Sequence, residues 1–118
     1  MNKKEYKLPD NFPDYFLNTG ISLQVIGLNS FAWKFPLVLE VITFLERENY
    51  VILGGDVLLY NGEHIENTYD SWYFNIDESL TKEQNIKQSV LLADQYLKKY
   101  NETNNGEFLY NLVVRSLA

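Results

Sequence analysis

The sequence of 118 residues contains no cysteine and only one histidine. The absence of cysteine excludes disulfides, thiolate zinc sites, iron–sulfur clusters and cysteine nucleophiles. No apolar run approaches the roughly eighteen residues that a membrane-spanning helix needs. Near the N-terminus, Pro9, Asp10 and Pro13 interrupt the segment in which an export signal would carry its apolar stretch. We therefore expect a cytoplasmic protein that has no contact with a membrane and binds no metal or other cofactor.

Positive charge is also scarce, because 10 basic residues stand against 16 acidic ones and give a formal net charge of −6 at pH 7. An acidic surface repels phosphate backbones, so we do not expect the protein to bind nucleic acid. Aromatic rings are abundant instead, with nine Tyr, seven Phe and two Trp. The length suits a single domain that can bury one core.

Local patterns in the first half of the chain predict an arm, a strand and a helix. Residues 1–20 contain two prolines and mixed charges, and are expected to form an N-terminal arm with a short helix over 14–17. Residues 21–118 are expected to form the domain itself. The alternation from Ile21 to Ile26 favours a strand, and a buried irregular segment is the alternative. Apolar residues at helical spacing predict a helix from Pro36 to Glu48, in which the proline suits the first turn.

The middle of the chain predicts a β-hairpin. Residues 50–60 are apolar and rich in β-branched side chains on both sides of Gly54 and Gly55, which indicates a strand that bulges or approaches another backbone closely at the glycines. We therefore assign these glycines an architectural role. The dipeptide Asn61-Gly62 predicts a tight turn, and the returning strand is predicted from Tyr69 to Asn75.

The last third of the chain predicts a long helix and a final strand. Thr81 followed by Gln84 three residues later is the pattern of a capping box, and one continuous apolar stripe follows it at Ile86, Val90, Ala93, Leu97 and Tyr100. The tail places Phe108, Tyr110, Leu112 and Val114 on one side of a strand that we expect to be half buried. Two main helices packed on a small, mostly antiparallel sheet make an α+β domain.

Negative charge is concentrated on the predicted hairpin. Seven acidic residues and no Lys or Arg lie between Glu48 and Glu78, and the same window is rich in large rings. Rings can anchor a partner and carboxylates can steer and pair with its basic groups, so the window is a candidate binding surface for a basic protein. The candidate contact residues are Asp56, Glu63, Glu66, Tyr69, Asp70, Trp72 and Tyr73, and among them Glu66 and Asp70 are the expected charge partners. Trp72 and Tyr73 can split between core and surface, because adjacent strand residues point to opposite faces.

Two other interpretations of the same residues remain open. Charge can simply protect a solvated strand edge from aggregation. The carboxylates between Asp56 and Asp70 could instead serve a small hydrolase, but their spacing matches no calcium loop, and no nucleophile, base and orienting group stand together. We therefore predict no enzymatic activity.

The triplet Gly54-Gly55-Asp56 is similar to that of GGDEF nucleotide cyclases, yet Val57 and Leu58 follow it in place of Glu-Phe.

Two segments resemble a known family. The run from Val51 to Val57, which follows an amphipathic helix and an Asn-Tyr junction, is similar to the signature of the immunity protein 40 family. The run from Thr68 to Tyr73 resembles a second segment of that family, and the helix that begins near Thr81 falls where the family has one. The resemblance covers most of the chain, from Ile21 to Tyr100.

The resemblance implies a function without catalysis. It implies a cytoplasmic antidote of a bacterial polymorphic toxin system, including the contact-dependent growth inhibition type. Such an antidote binds the C-terminal domain of a cognate toxin and blocks it, and we expect this binding to be one to one. An acidic surface rich in rings would suit a toxin that is a basic nuclease. A general cytosolic adaptor would need the same residue chemistry, and a neighbouring reading frame for a large secreted protein would distinguish the two.

Overall fold

The computed structural model describes residues 7–118, which form three helices and five strands. In chain order these are α1 (Asp14–Thr19), β1 (Ile21–Ser22), a 3-10 turn (Gln24–Ile26), β2 (Phe31–Trp33), α2 (Leu37–Arg47), β3 (Tyr50–Tyr60), β4 (Ile65–Tyr73), α3 (Lys82–Thr103) and β5 (Phe108–Ser116). The strands form one antiparallel sheet in the order β1-β2-β5-β3-β4, so β4 lies at an edge. The predicted α+β class with an antiparallel sheet is confirmed.

The helix α3 begins at the predicted capping box. The Thr81 hydroxyl accepts a hydrogen bond from the Gln84 N–H at 3.1 Å, and the Gln84 side chain accepts one from the Thr81 N–H at 2.9 Å. These two bonds satisfy donors that the first helical turn would otherwise leave unpaired. The predicted stripe is buried at Ile86, Val90, Ala93 and Leu97, and Tyr100 is half buried.

The helix α2 matches its predicted span within one residue at each end. Pro36 precedes the first helical residue, and Glu48 caps the last turn with its N–H directed at carbonyl groups of that turn. Asn49 follows with a φ of 63°, a left-handed conformation that asparagine tolerates better than most residues. This residue turns the chain from the helix into β3.

The two faces of the sheet differ in what covers them. α2 and α3 pack on one face, here called the helix face, where they bury Val57, Trp72 and Tyr110. Side chains alternate along a strand, so Leu58 and its cross-strand partner Leu109 point to the opposite face, here called the open face. Leu23 covers this pair from the loop after β1. The rest of the open face has no helix on it among the described residues.

The strand β5 is more deeply buried than we predicted. The predicted side is confirmed, because Tyr110, Leu112 and Val114 lie in the main core. The other side was expected to face solvent, but Leu109 and Asn111 are buried as well. The reason is position, since β5 lies between β2 and β3 and the loop after β1 covers it. The Asn111 amide donates to Ser30 Oγ at 2.7 Å and to the Phe31 carbonyl at 2.8 Å, which fastens that loop to the sheet.

The predicted strand from Ile21 to Ile26 is wrong beyond Ser22. The chain leaves the sheet, buries Leu23 and makes a single 3-10 turn that ends at Gly27 with a φ of 82°. The short β2 that follows was not predicted, because three residues carry no clear period. Residues 1–6 of the expected arm lie outside the described residues. The described part of the arm contributes Phe12 and Phe16 to the main core.

Candidate protein-binding surface

The strand β3 is irregular at the glycines that the sequence singled out. Its register with β5 shifts between Ile52 and Gly54, which makes Leu53 an extra residue. The Ile52 N–H donates instead to Ser89 Oγ of α3 at 3.0 Å. Gly54 has a φ of 147°, and a Cβ on it would lie 2.2 Å from the Trp72 carbonyl oxygen. The bulge and the neighbouring backbone therefore both require glycine at this position.

Gly55 provides the space in which Trp72 is buried. A Cβ on Gly55 would lie 2.5 Å from Cη2 of the Trp72 ring and 2.0 Å from the Asn111 carbonyl oxygen. Trp72 is only 7% exposed, and its ring stacks on Tyr96 of α3 with centroids 4.9 Å apart. Trp72 is thus part of the core that holds β4 against α3.

Tyr73, the next residue, points the other way. It is 75% exposed, and it pairs across strands with Gly54 on the open face. Trp72 and Tyr73 therefore divide between core and surface, as strand alternation allows. Only the second ring is available to a partner.

The hairpin connection is a four-residue loop and not the tight two-residue turn that we predicted. Tyr60 and Ile65 form the last cross-strand pair, so β4 begins four residues before the predicted Tyr69. The Asn61 side chain organises the loop, because its Oδ1 accepts from the N–H groups of Glu63 at 3.0 Å and His64 at 2.7 Å. Asparagine commonly forms such local bonds to its own backbone. The loop leaves Glu63 and His64 exposed.

The strand β4 bulges at its centre and presents Tyr69 there. Three β4 residues stand opposite Val57, and the middle one, Tyr69, has a φ of 64°. A non-glycine residue in this left-handed conformation costs roughly 1 kcal/mol or more. Asn67 Oδ1 accepts from the Tyr69 N–H at 2.7 Å, and Thr68 Oγ1 accepts from the Asp70 N–H at 3.1 Å. These bonds hold a conformation in which the tyrosine ring is 88% exposed.

Asp70 connects the bulge to α3. Its carboxylate accepts a hydrogen bond of 2.8 Å from the Tyr100 hydroxyl. Burial, followed by this hydrogen bond to Asp70, raises the pKa of Tyr100 above its ordinary value. Burial and the charge of Asp70 likewise raise the pKa of Tyr96. Asp70 is therefore fixed on the side of the hairpin that faces α3.

The negative charge of the hairpin is not neutralised within the described residues. Among the described residues, 7–118, the one ion pair joins Lys7 to Asp10 at 3.7 Å. It involves no carboxylate of the hairpin. Lys34 reaches the hairpin, but its Nζ lies over the Tyr60 ring, 5.5 Å from the ring centre. The carboxylates of Asp56, Glu63 and Glu66 thus remain exposed and unpaired in this part of the chain.

The seven candidate residues share one hairpin without forming one patch. Trp72 lies in the core, Asp70 faces α3, and Asp56 and Tyr73 lie on the open face. Three further candidates project elsewhere from the hairpin, namely Glu63 from the loop, Glu66 from β4 and Tyr69 from the bulge.

The described residues hold no group of three or more His, Asp or Glu side chains arranged to bind a metal ion. Among the same residues, no helix is both long and apolar enough to cross a membrane.

Sequence reasoning missed the exposed apolar side chains around the open face. Val113 of β5 is 39% exposed, and Val25 and Leu28 are exposed on the loop that covers Leu58 and Leu109. The signal in the sequence was the run of apolar residues on both sides of Gly27. The strand predicted from Ile21 to Ile26 covered the first part of this run.

Comparison with known protein families identifies one match. The family model described as Immunity protein 40 matches residues 22–114, more than three quarters of the chain. The chain belongs to the immunity protein 40 family. No curated protein and no solved structure matches it.

Membership agrees with the resemblance of the two hairpin segments, both of which lie inside the matched range. It supports a role in immunity to a toxin and implies a cognate toxin as partner. Immunity proteins are generally not enzymes.

Proposed function

We propose that this member of the immunity protein 40 family is a cytoplasmic antidote that binds the C-terminal domain of a cognate toxin, one to one, and blocks it without catalysis. Family membership indicates the class of partner. The observation that carries the mode of action is the exposed, unpaired negative charge of the β3–β4 hairpin, which stands beside two exposed tyrosine rings.

The carboxylates would act first, before contact. Exposed charges steer an oppositely charged partner over distances comparable to the Debye length, about 8 Å at physiological ionic strength. Asp56, Glu63 and Glu66 have no competing cation bound among the described residues, so their field reaches solvent. A basic toxin surface is the matching partner, and the active-site cleft of a nuclease is a surface of that kind.

The rings would act second, by slowing release. Tyrosine covers a large contact area at a small entropic cost and is common among the residues that dominate binding energy. Tyr69 and Tyr73 are exposed on the same strand, and the bulge holds Tyr69 in place before binding. Trp72 supports them from inside, since its stacking on Tyr96 fixes β4 on α3.

Coexpression tests this function directly. The toxin domain encoded in the adjacent reading frame is produced together with the antidote, and cell survival and copurification are scored. We expect survival with the wild type, loss of protection with Tyr69→Ala and Tyr73→Ala combined, and full protection with Tyr15→Ala. Tyr15 is a matched control, because it is an exposed tyrosine on α1. Death of cells that contain wild-type protein, with no copurification, would overturn the proposal.

A further inference from the structure

We infer that Tyr69 is the principal anchor of the interface, and that the bulge of β4 holds its ring ready to enter a pocket of the toxin domain. The inference rests on the proposed function, because the pocket belongs to the toxin. It adds to that function one dominant contact residue and the side chains that position it.

Tyr69 has a backbone conformation that its side chain does not favour. Among the described residues, Asn49 and Tyr69 are the two residues other than glycine with a positive φ, at 63° and 64°. Asparagine tolerates the left-handed region, and Asn49 uses it where the chain leaves α2. A large aromatic residue is uncommon there, because its Cβ crowds the following carbonyl group. The backbone at position 69 is therefore strained by the side chain that it carries.

The Tyr69 ring makes no contact in the free protein that offsets this strain. It is 88% exposed, and within residues 7–118 it belongs to neither hydrophobic cluster. The strand β4 is at the edge of the sheet, so no described strand lies beyond it to cover the ring. Strained backbone is characteristic of functional sites, where the strained residue is needed for the function itself. The contact that offsets the strain therefore lies outside the chain, on the toxin that the family implies as partner.

Side chains on both sides of Tyr69 fix the bulge. Asn67 Oδ1 accepts a hydrogen bond from the Tyr69 N–H at 2.7 Å. The Thr68 hydroxyl donates to the Val57 carbonyl oxygen at 2.8 Å and accepts from the Asp70 N–H at 3.1 Å. The Asp70 carboxylate is in turn held by a hydrogen bond from α3. A backbone that already has its bound conformation loses little further freedom on binding, so these bonds favour Tyr69 as the anchor.

The bulge also determines how a partner can contact β4. A regular edge strand presents a row of free N–H and C=O groups that can pair with another strand. Here three residues stand opposite Val57 and interrupt the row, and Asn67 occupies the Tyr69 N–H. The centre of this edge therefore offers a side chain to the partner in place of a backbone ladder. The exposed carboxylates of Glu63 and Glu66 on the same hairpin attract a basic surface around the pocket.

Calorimetric titration of an inactivated toxin domain tests the anchor. Tyr69→Ala should weaken binding about 30-fold or more, as expected for a residue that dominates an interface. Tyr73→Ala should weaken it by no more than about fivefold, because this exposed ring lies on the same strand but is not held by the bulge. Tyr15→Ala removes an exposed tyrosine from α1 and should bind within about twofold of the wild type.

Glycine variants test the strain in a measurement that needs no toxin. Tyr69→Gly removes the ring and the strain together, so its urea unfolding midpoint should equal or exceed that of the wild type. Tyr73→Gly is the matched control, and its midpoint should fall, because glycine weakens a regular strand. In the titration, Tyr69→Gly should bind as weakly as Tyr69→Ala. A midpoint of Tyr69→Gly below that of the wild type would show that the ring stabilises the fold, and would overturn the argument from strain.

Asn67 variants test the positioning of the anchor. Asn67→Ala removes the acceptor for the Tyr69 N–H and should weaken binding about tenfold, whereas Asn67→Asp keeps an acceptor and should bind within about threefold of the wild type. In a Tyr69→Ala background, Asn67→Ala should change binding by no more than about twofold. An undiminished effect in that background would show that Asn67 itself contacts the toxin, and its positioning role would be wrong.

The titrations also separate this inference from the proposed function. If the wild type binds the toxin domain and Tyr69→Ala binds within about twofold of it, or if Tyr73→Ala has the larger effect, the anchor is wrong while the proposed function stands. If the wild-type protein does not bind the toxin domain, both are wrong.

Discussion

Replacing Trp72 by alanine should lower the free energy of unfolding by about 3 to 5 kcal/mol. The ring is 7% exposed, so it buries close to the upper end of the 150 to 250 Å² that aromatic side chains bury. At about 25 cal/mol per Å², that area is worth about 6 kcal/mol. The Trp72 Nε1 is buried and has no hydrogen-bond partner within the described residues, and its removal returns about 1 to 3 kcal/mol. The burial term minus the gain from removing the unpaired Nε1 is about 3 to 5 kcal/mol, which is the loss predicted for Trp72→Ala.

The assay is urea unfolding, which compares the free energy of unfolding of Trp72→Ala with that of Tyr73→Ala at the neighbouring position. Tyr73→Ala should change the free energy of unfolding by no more than about 0.5 kcal/mol, because the ring is mostly in solvent. A loss below about 1 kcal/mol for Trp72→Ala, or above about 2 kcal/mol for Tyr73→Ala, would refute the division of the two rings between core and surface.

Trp72→Phe separates folding from binding at the same position. Phenylalanine keeps a ring on Tyr96 and removes the unpaired Nε1, so we expect a folded protein that still binds the toxin domain. A folded Trp72→Phe variant that no longer protects cells would show that Trp72 itself contacts the partner.

Three further predictions concern Tyr110, Gly55 and salt. The Tyr110 hydroxyl is buried without a partner in the described chain, so Tyr110→Phe should leave the free energy of unfolding unchanged or raise it by about 1 kcal/mol in urea unfolding. Burial raises the pKa of Tyr110 to about 12, above the value of about 10 in the unfolded chain. The contribution of Tyr110 to the free energy of unfolding is therefore complete below about pH 10 and is lost as the pH rises toward 12, because the unfolded chain ionises more readily. Tyr110→Phe should remove this part of the decline, and parallel stability curves for the two proteins would contradict it. Gly55→Ala should cost more than about 3 kcal/mol or prevent folding, because its Cβ would lie 2.0 Å from the Asn111 carbonyl oxygen; near-native circular dichroism and an unchanged unfolding midpoint would argue against this. Association with the toxin domain should slow several-fold between about 0.05 and 0.5 M salt in stopped-flow measurements, and an on-rate independent of salt would refute steering by the hairpin.

The helices could be predicted because their signals are local. The capping box at Thr81 and the apolar stripe of α3 lie within one segment, and both are found as expected. The α2 helix likewise carries its own period and its own end at Asn49. The α+β class followed from these two helices and the β-branched runs between and after them.

The region from Leu23 to Trp33 was not predicted as it is found, because tertiary contacts decide it. Leu23 leaves the sheet to cover Leu58 and Leu109, which are distant in sequence. The central position of β5 has the same origin, since burial on both faces depends on which strands and loops surround it. Local alternation carries no information about either contact.

The candidate surface could be located but not resolved from sequence. The positions of the acidic and aromatic residues along the sequence placed both on one hairpin, while the exposure of each ring depends on register and on the bulge at Tyr69. The two glycines predicted the irregularity in β3, but the identity of the extra residue, Leu53, depends on the register with β5. The asparagine side chain that sets the loop length, Asn61, likewise acts through bonds that appear only in the folded chain.

Hydrogen exchange with and without the toxin domain tests the central claim most directly. We expect binding to protect the amides of β3, the hairpin loop and β4, while the amides of α1 and the outer surface of α3 exchange as in the free protein. Protection confined to α1, α2 and α3, with an unchanged β3–β4 hairpin, would contradict it.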